Sequence, residues 1–178
     1  HDSVPTAYGA NDNASGVAAL LYVAELLQDI PTDTEVRFIS FTDEENGKCG
    51  SRFYTSSLAQ AEKERMVGNI QFDMLGGLGT EDALVCTMDG EANWVSDLLQ
   101  QQDSALRRGR ETASDHASLQ LAGVPSVLLM QNGRGYLYHS AADTAEQLNP
   151  YAIARTAERA GAAVKEILSA DTPSYRAL

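Results

Sequence analysis

Glu44 and Glu45 stand side by side just after an apolar, strand-like run, Val36-Arg37-Phe38-Ile39-Ser40-Phe41. Asp12, Asp73 and His139 occupy comparable places elsewhere, at the ends of apolar runs or in the turns beyond them. Three carboxylates (Asp12, Glu45, Asp73) and one imidazole are the ligand types of a hydrolytic zinc centre. A further carboxylate beside a ligand is what such a centre needs as general base. Neighbouring residues on a turn can point differently, so Glu45 can face a metal while Glu44 faces the attacking water. A centre with two metals needs a bridging carboxylate between ions roughly 3.5–4 Å apart, and Asp12, at the start of a helix, is the natural bridge. Tyr138, next to His139, has a hydroxyl to offer a developing oxyanion.

Each residue also has a plainer reading. A glutamate pair is usually a solvated turn. Asp12 is in place for a helix N-cap, and can be cap and ligand at once. Asp73 could simply end a strand, although a carboxylate inside an apolar run demands a partner. His139 alone could be a surface or core histidine, and Tyr138 a packing residue. His116 reads as structural, Trp94 as core, and Arg107, Arg108 and Arg110 as a solvated loop. The full set carries the chemistry, not any one member.

These residues must be positioned by the elements around them. Val17, Leu20, Leu21, Ala24 and Leu27 recur with helical spacing up to Pro31. Glu35–Phe41 alternates and is rich in β-branched and aromatic residues, which predicts a strand. A second helix is expected from Arg52 into Leu58, with 61–68 as helix end or loop. Asn69–Leu75 and Ala83–Met88 read as strands, closed by Gly76-Gly77 and Asp89-Gly90. Asn93–Gln102 reads as a helix, 115–122 as a short one, and the fully apolar Val124–Met130 as a central strand. Pro150–Ser169 predicts a long amphipathic helix, with Ile153, Ala157, Ala160, Val164, Ile167 and Leu168 on one stripe. Strand and helix alternate, so the class is α/β: a three-layer sandwich with a mixed, largely parallel sheet flanked by helices. In such sheets, sites form beyond the carboxyl ends of strands, which is where the candidate residues fall. Four strands make a thin sheet. The expectation is one domain over 1–178 whose N-terminal strands are missing.

Bulk composition narrows the function. The chain has 178 residues, 43% hydrophobic and 21% charged, an ordinary composition for a single domain with one core. A formal charge of −12 repels phosphate backbones, so no nucleic-acid partner is expected. No apolar stretch is long enough to insert in a membrane, and no signal peptide is visible. Cys49 and Cys86 form no Cys/His cluster, which excludes thiolate zinc. Two free, mostly buried thiols are expected, with a disulfide left open.

The order of several short segments resembles the M28 family of zinc aminopeptidases, of the zinc-dependent exopeptidase or phosphorylase/hydrolase-like fold. The matching segments are His1-Asp2-Ser3-Val4, Gly9-Ala10-Asn11-Asp12-Asn13-Ala14-Ser15-Gly16, Asp43-Glu44-Glu45 with Gly50-Ser51, and Phe72-Asp73-Met74. Ser114-Asp115-His116, Gly123-Val124-Pro125 and Tyr138-His139 with Asp143-Thr144 follow in order. The resemblance implies zinc, two ions per active site. Asp12 would bridge them, Glu45 and His139 would complete one site, and Asp73 would serve the other. It casts Glu44 as general acid/base, Tyr138 as carbonyl or oxyanion donor, and Asp2 and Asp115 as carboxylates behind the ligands or on the substrate side. It also implies a cis peptide at Asp12–Asn13. Peptides with a free N-terminus, with leucine-type first residues, are the implied substrates, and a secreted or envelope bacterial protein the implied setting. In one respect the chain departs from the pattern, which reads His-x-Asp-Ser: His1 stands at x, and the ligand histidine of the Asp73 metal would fall at position zero. Two other functions fit the same residues. One is a glutaminyl cyclase with a single zinc on Asp12, Glu45 and His139. The other is a catalytically silent domain that keeps the fold for binding or assembly.

Overall fold

The run Val124–Met130 becomes the strand β4 (Ser126–Asn132), buried at every position except Asn132. A strand apolar on both faces must be covered on both, and the computed structural model, which describes residues 3–79, 81–135 and 137–177, covers it so. Among the described residues the sheet has four strands in the order β1-β4-β2-β3, with β1 Asn69–Phe72, β2 Glu81–Thr87 and β3 Arg107–Arg110. β1 runs parallel to β4 and β3 parallel to β2, while β2 is antiparallel to β4. The sheet is thus mixed and mostly parallel, as expected.

Val127 and Leu129 face a core made with α1 (Ser15–Leu27), α4 (Trp94–Gln102) and α6 (Pro150–Ser169). Leu128 and Met130 face the other way, with Cys86 and Leu84. There α5 (His116–Leu121) lies against β1 and β4, and α2 (Cys49–Ser57) lies against α5, joined by a 2.8 Å hydrogen bond from Ser51 Oγ to Ser118 Oγ. A short α3 (Gln60–Arg65) follows α2. The long helix starts where its sequence says it should. Asn149 accepts from the amides of Tyr151 and Ala152, and Pro150 occupies the first turn, where its missing N–H costs nothing. Its Ala157, Ala160, Gly161 and Ala163 let α1 approach closely; a Cβ on Gly161 would lie 3.1 Å from Leu26. Among the described residues no helix is long and apolar enough to cross a membrane.

Several expectations are corrected. Residues 35–41 form no strand ladder. The period-2 pattern is present, yet a strand exists only with a partner, and the described residues supply none. Side chains hold the segment instead: Arg37 reaches Glu35 and Glu62, each at 2.6 Å, and the Phe41 ring packs at a tilt against Tyr54 with centroids 5.7 Å apart. The fourth strand is Arg107–Arg110, read above as a loop because its residues are charged. At a sheet edge the backbone pairs on one side while the arginines stay in solvent, and charge on an edge strand discourages further pairing. Ala10–Ala14 and Thr172–Ala177 form helical turns that the sequence did not announce. Cys49 and Cys86 are both free, but only Cys86 is buried.

Candidate metal centre

Asp12 sits in an irregular turn, Ala10–Ala14, ahead of α1, with Asp12 and Asn13 outside helical geometry (φ −110° and −133°). Its two asparagine neighbours tie this turn to the end of β1. Asn13 Nδ2 donates to the Phe72 carbonyl at 2.9 Å, and Asn13 Oδ1 accepts from Met74 N at 3.2 Å and Gly16 N at 3.0 Å. Asn11 Oδ1 accepts from Gly76 N at 2.9 Å, and its Nδ2 donates to Gln131 at 3.0 Å. Below them the buried carboxylate of Asp143 accepts the amides of Asn11 at 2.7 Å and Asp12 at 3.1 Å. Gly16 is required here, because a Cβ would sit 2.6 Å from the Phe72 carbonyl oxygen. The Asp12–Asn13 peptide is cis.

The other groups converge on this turn. Asp73 follows β1, its amide bonded to Leu129 O at 3.1 Å. Glu44 and Glu45 lie in a turn closed by the amides of Gly47 and Lys48, both on the Glu44 carbonyl at 3.0 and 2.7 Å. His139 Nε2 lies 2.9 Å from Glu45 Oε1 and 3.2 Å from Asp12 Oδ2. The ligand atoms of Asp12, Glu45 and His139 all fall within 4.8 Å of one another. Tyr138 stacks on His139 with centroids 3.6 Å apart, and the Arg134 guanidinium lies over the Tyr138 ring, 5.2 Å from its centroid. A cleft of about 200 Å³ opens between them, lined by Asp12, Glu44, Glu45, Asp73, Arg134 and Tyr138.

Backbone strain concentrates here. Among the described residues the non-glycine positions with positive φ are Asp43, Lys48, Met74 and His139. Two flank the Glu44–Glu45 turn, one follows Asp73, and one is itself a candidate ligand. Such conformations persist where the surrounding structure over-determines them, and they cluster at functional sites.

The electrostatics favour a cation. Burial, then the repulsion of Glu45, raises the Asp12 carboxyl to about 6. Burial, then the charge of Asp12, raises Asp73 to about 7. Burial, then Asp73, Asp115 and Glu45, raises Glu44 to about 8. Asp73 Oδ2 accepts from Ser114 at 2.7 Å, while its buried Oδ1 has no hydrogen-bond partner among the described residues. Desolvated acids that repel one another, with a buried carboxylate oxygen turned to no donor, fit a divalent ion. Oxygen and imidazole donors fit zinc among such ions.

Asp115 is buried at the start of α5 and adds negative charge facing Glu44 and Asp73, although its side chain caps no amide of that helix. His116 is fully buried, its Nε2 2.9 Å from the Glu111 carbonyl, and burial pushes its pKa down to about 4, so it is neutral at pH 7. Trp94 is half-buried against the core and stacks on Tyr175. Asp2 and His1 lie outside the described residues. Sequence reading passed over the asparagines and the clamping role of Asp143. The signal was available: two asparagines flanking one aspartate in a turn must satisfy backbone groups somewhere.

A prediction follows for the metal-free chain. Asp12, Asp73 and Glu44 hold protons in the folded state at pH values where the unfolded chain has released them. Between about pH 4 and 8 the unfolded state therefore binds fewer protons, and stability falls as pH rises. Melting temperature in the presence of chelator should drop from pH 5 to pH 8, and saturating zinc should reduce or reverse the drop. A chelated chain whose melting temperature climbs over that range would contradict these raised values.

The model of peptidase family M28 matches residues 1–164. Aminopeptidase YwaD of Bacillus subtilis (strain 168) is 31% identical over 180 residues, an alignment that covers 93% of this chain and 39% of that protein. An aminopeptidase from Aneurinibacillus sp. strain AM-1 superposes with a TM-score of 0.88 at 39% identity, over 92% of this chain and 41% of its own. A zinc aminopeptidase structure from Bacillus subtilis superposes with a TM-score of 0.91 at 31% identity, over 94% and 44%. The chain thus spans about two fifths of the length of these relatives.

Proposed function

The chain belongs to peptidase family M28, and from that premise we propose that the protein carrying it is a zinc-dependent aminopeptidase. The observation that carries the reading is the meeting of Asp12, Glu45 and His139 within 4.8 Å, with Glu44 and Asp73 at the same cleft.

Asp12, Glu45 and His139 would hold one zinc. Asp12 and Asp73, close enough for the Asp12 charge to raise the proton affinity of Asp73, would share a second. When bound, zinc polarises the scissile carbonyl, lowers the pKa of a water molecule to about 7 and offsets the repulsion that raises Glu44. Glu44, lining the cleft beside Glu45, takes the proton from the attacking water and returns it to the departing amine. The return step explains why a base with elevated proton affinity suits this position. Tyr138 keeps its phenol protonated, since burial and the Asp12 charge raise it to about 12, and donates to the carbonyl oxygen as negative charge develops there. The negative groups Glu44 and Asp115 attract the substrate's free α-ammonium and so favour cleavage at the first peptide bond. Asp73, a third ligand-type carboxylate at the same cleft, supports this reading over the single-zinc cyclase, whose zinc Asp12, Glu45 and His139 would already hold.

The test is zinc per chain by elemental analysis, measured beside turnover of leucine p-nitroanilide and of a Gln-peptide. Two zincs with release of p-nitroaniline is the expected result. One zinc with cyclisation of the Gln-peptide would replace it with the cyclase, and no bound zinc would leave a silent domain of the same fold.

A further inference from the structure

Two cations, Lys48 and Arg134, line a cleft whose other charged groups are carboxylates. Arg134 is accounted for: its guanidinium lies 3.4 Å from Glu111 Oε2 and over the ring of Tyr138. Lys48 is different. Its Nζ donates to the Ala113 carbonyl at 3.2 Å, and among the described residues no carboxylate pairs with it. An ammonium has three donors, so one neutral carbonyl leaves it with capacity to spare. The turn that carries Glu44 also fixes Lys48. The Lys48 amide donates to the Glu44 carbonyl at 2.7 Å, and its own carbonyl accepts from Arg52 N at 2.9 Å as α2 begins. Its backbone is left-handed, with φ 61° and ψ 40°. Glycine would take that conformation without strain, so what a lysine adds here is its side chain, reaching to the loop that holds Ser114 and Asp115.

The reaction says what this ammonium meets. Glu44 returns a proton to the departing amine, so the atoms beyond that amine lie on the Glu44 side of the cleft. Lys48 supplies the positive charge on that side, close enough to act on the Glu44 carboxyl. A cation there also repels the substrate's α-ammonium, a cost borne by every substrate unless it brings an anion to match. From the departing nitrogen the second residue runs through Cα to its side chain and to its own carbonyl carbon, which in a dipeptide is a carboxylate. Resting on the aminopeptidase reading, we propose that Lys48 is a specificity-determining residue that binds a carboxylate on the substrate's second residue. The carboxylate is the C-terminal group of a dipeptide or the side chain of Asp or Glu in second place. Lys48 thereby turns a general preference for free N-termini into one for short or acidic peptides.

The test is kcat/KM for Leu-Ala and for its amide, Leu-Ala-NH2, taken as a ratio within each variant so that folding and zinc loading cancel. The parent should favour the free acid by about 10-fold or more, the scale of a hydrogen bond to a charged group. Lys48→Met should bring the ratio close to unity, Lys48→Arg should keep it and Lys48→Glu should invert it. Leu-Glu-NH2 against Leu-Gln-NH2 reads the side-chain source in the same way. A preference for the acid in either pair that Lys48→Met abolishes supports the proposal and identifies which carboxylate is bound. A parent with no preference in both pairs overturns it. So does a preference that Lys48→Met leaves unchanged, the result expected of a lysine that only ties its turn to Ala113. If the protein cleaves none of these peptides, the aminopeptidase reading fails separately, and calorimetry decides the role of Lys48. Leu-Ala binding more tightly than Leu-Ala-NH2 to the parent but not to Lys48→Met keeps the carboxylate site, and equal binding overturns it.

Discussion

Replacing Glu44 with glutamine is expected to cut kcat by about 10²–10⁴-fold while the protein keeps its zinc. The side chain keeps its size and loses its ability to accept a proton at neutral pH. Asp12, Glu45, Asp73 and His139 are untouched, so metal content by elemental analysis should match the parent. The same substitution makes a second prediction of opposite sign. Burial and the charges of Asp73, Asp115 and Glu45 all disfavour the Glu44 carboxylate. An uncharged amide removes that repulsion, so the metal-free variant should melt higher than the parent at pH 8 and little differently at pH 4, where Glu44 is already protonated. Loss of activity together with a gain in stability is a pattern that general disruption does not produce. A variant that keeps kcat within a few-fold of the parent would remove Glu44 from the chemistry.

Asp12→Asn, Asp73→Asn and His139→Ala are expected to lower zinc content in different ways. Asp12 is 3.2 Å from His139 and is also the charge that most raises Asp73 after burial, so it belongs to both halves of the cluster. Asp12→Asn should lose both ions, or weaken both by more than the roughly 10–100-fold typical of residues that only support ligands. Asp73→Asn should lose one ion and leave the Asp12, Glu45, His139 position filled. His139→Ala should empty that position instead. Zinc titration followed by dialysis and elemental analysis separates the three, and turnover should fall to background in Asp12→Asn. If Asp12→Asn and Asp73→Asn retained the same number of ions, Asp12 would not be the bridge. The asparagine substitution keeps the shape of the side chain, and the amides of Asn11 and Asp12 remain on Asp143, so any loss reports the missing charge rather than a collapsed turn.

The class of the fold, the central apolar strand and the long C-terminal helix with its Asn149-Pro150 start were legible in the sequence, because each is decided by a local pattern of burial or capping. The ligand types were legible too, since carboxylates and a histidine after apolar runs in an α/β pattern point to the carboxyl ends of strands. What stayed hidden depended on partners distant in sequence. Residues 35–41 carry every mark of a strand and make no ladder, while Arg107–Arg110 carry few and do, because pairing belongs to two segments and a pattern to one. That Asp12, Glu45 and His139 meet, that Asp73 keeps an oxygen turned to no donor, and that Asp143 holds the Asp12 turn from 131 residues away in sequence were decided only when the chain closed on itself. The sequence by itself determined which chemical groups were present and on which kind of element. The tertiary structure decided which of them share one desolvated space, where their mutual repulsion makes a cation favourable.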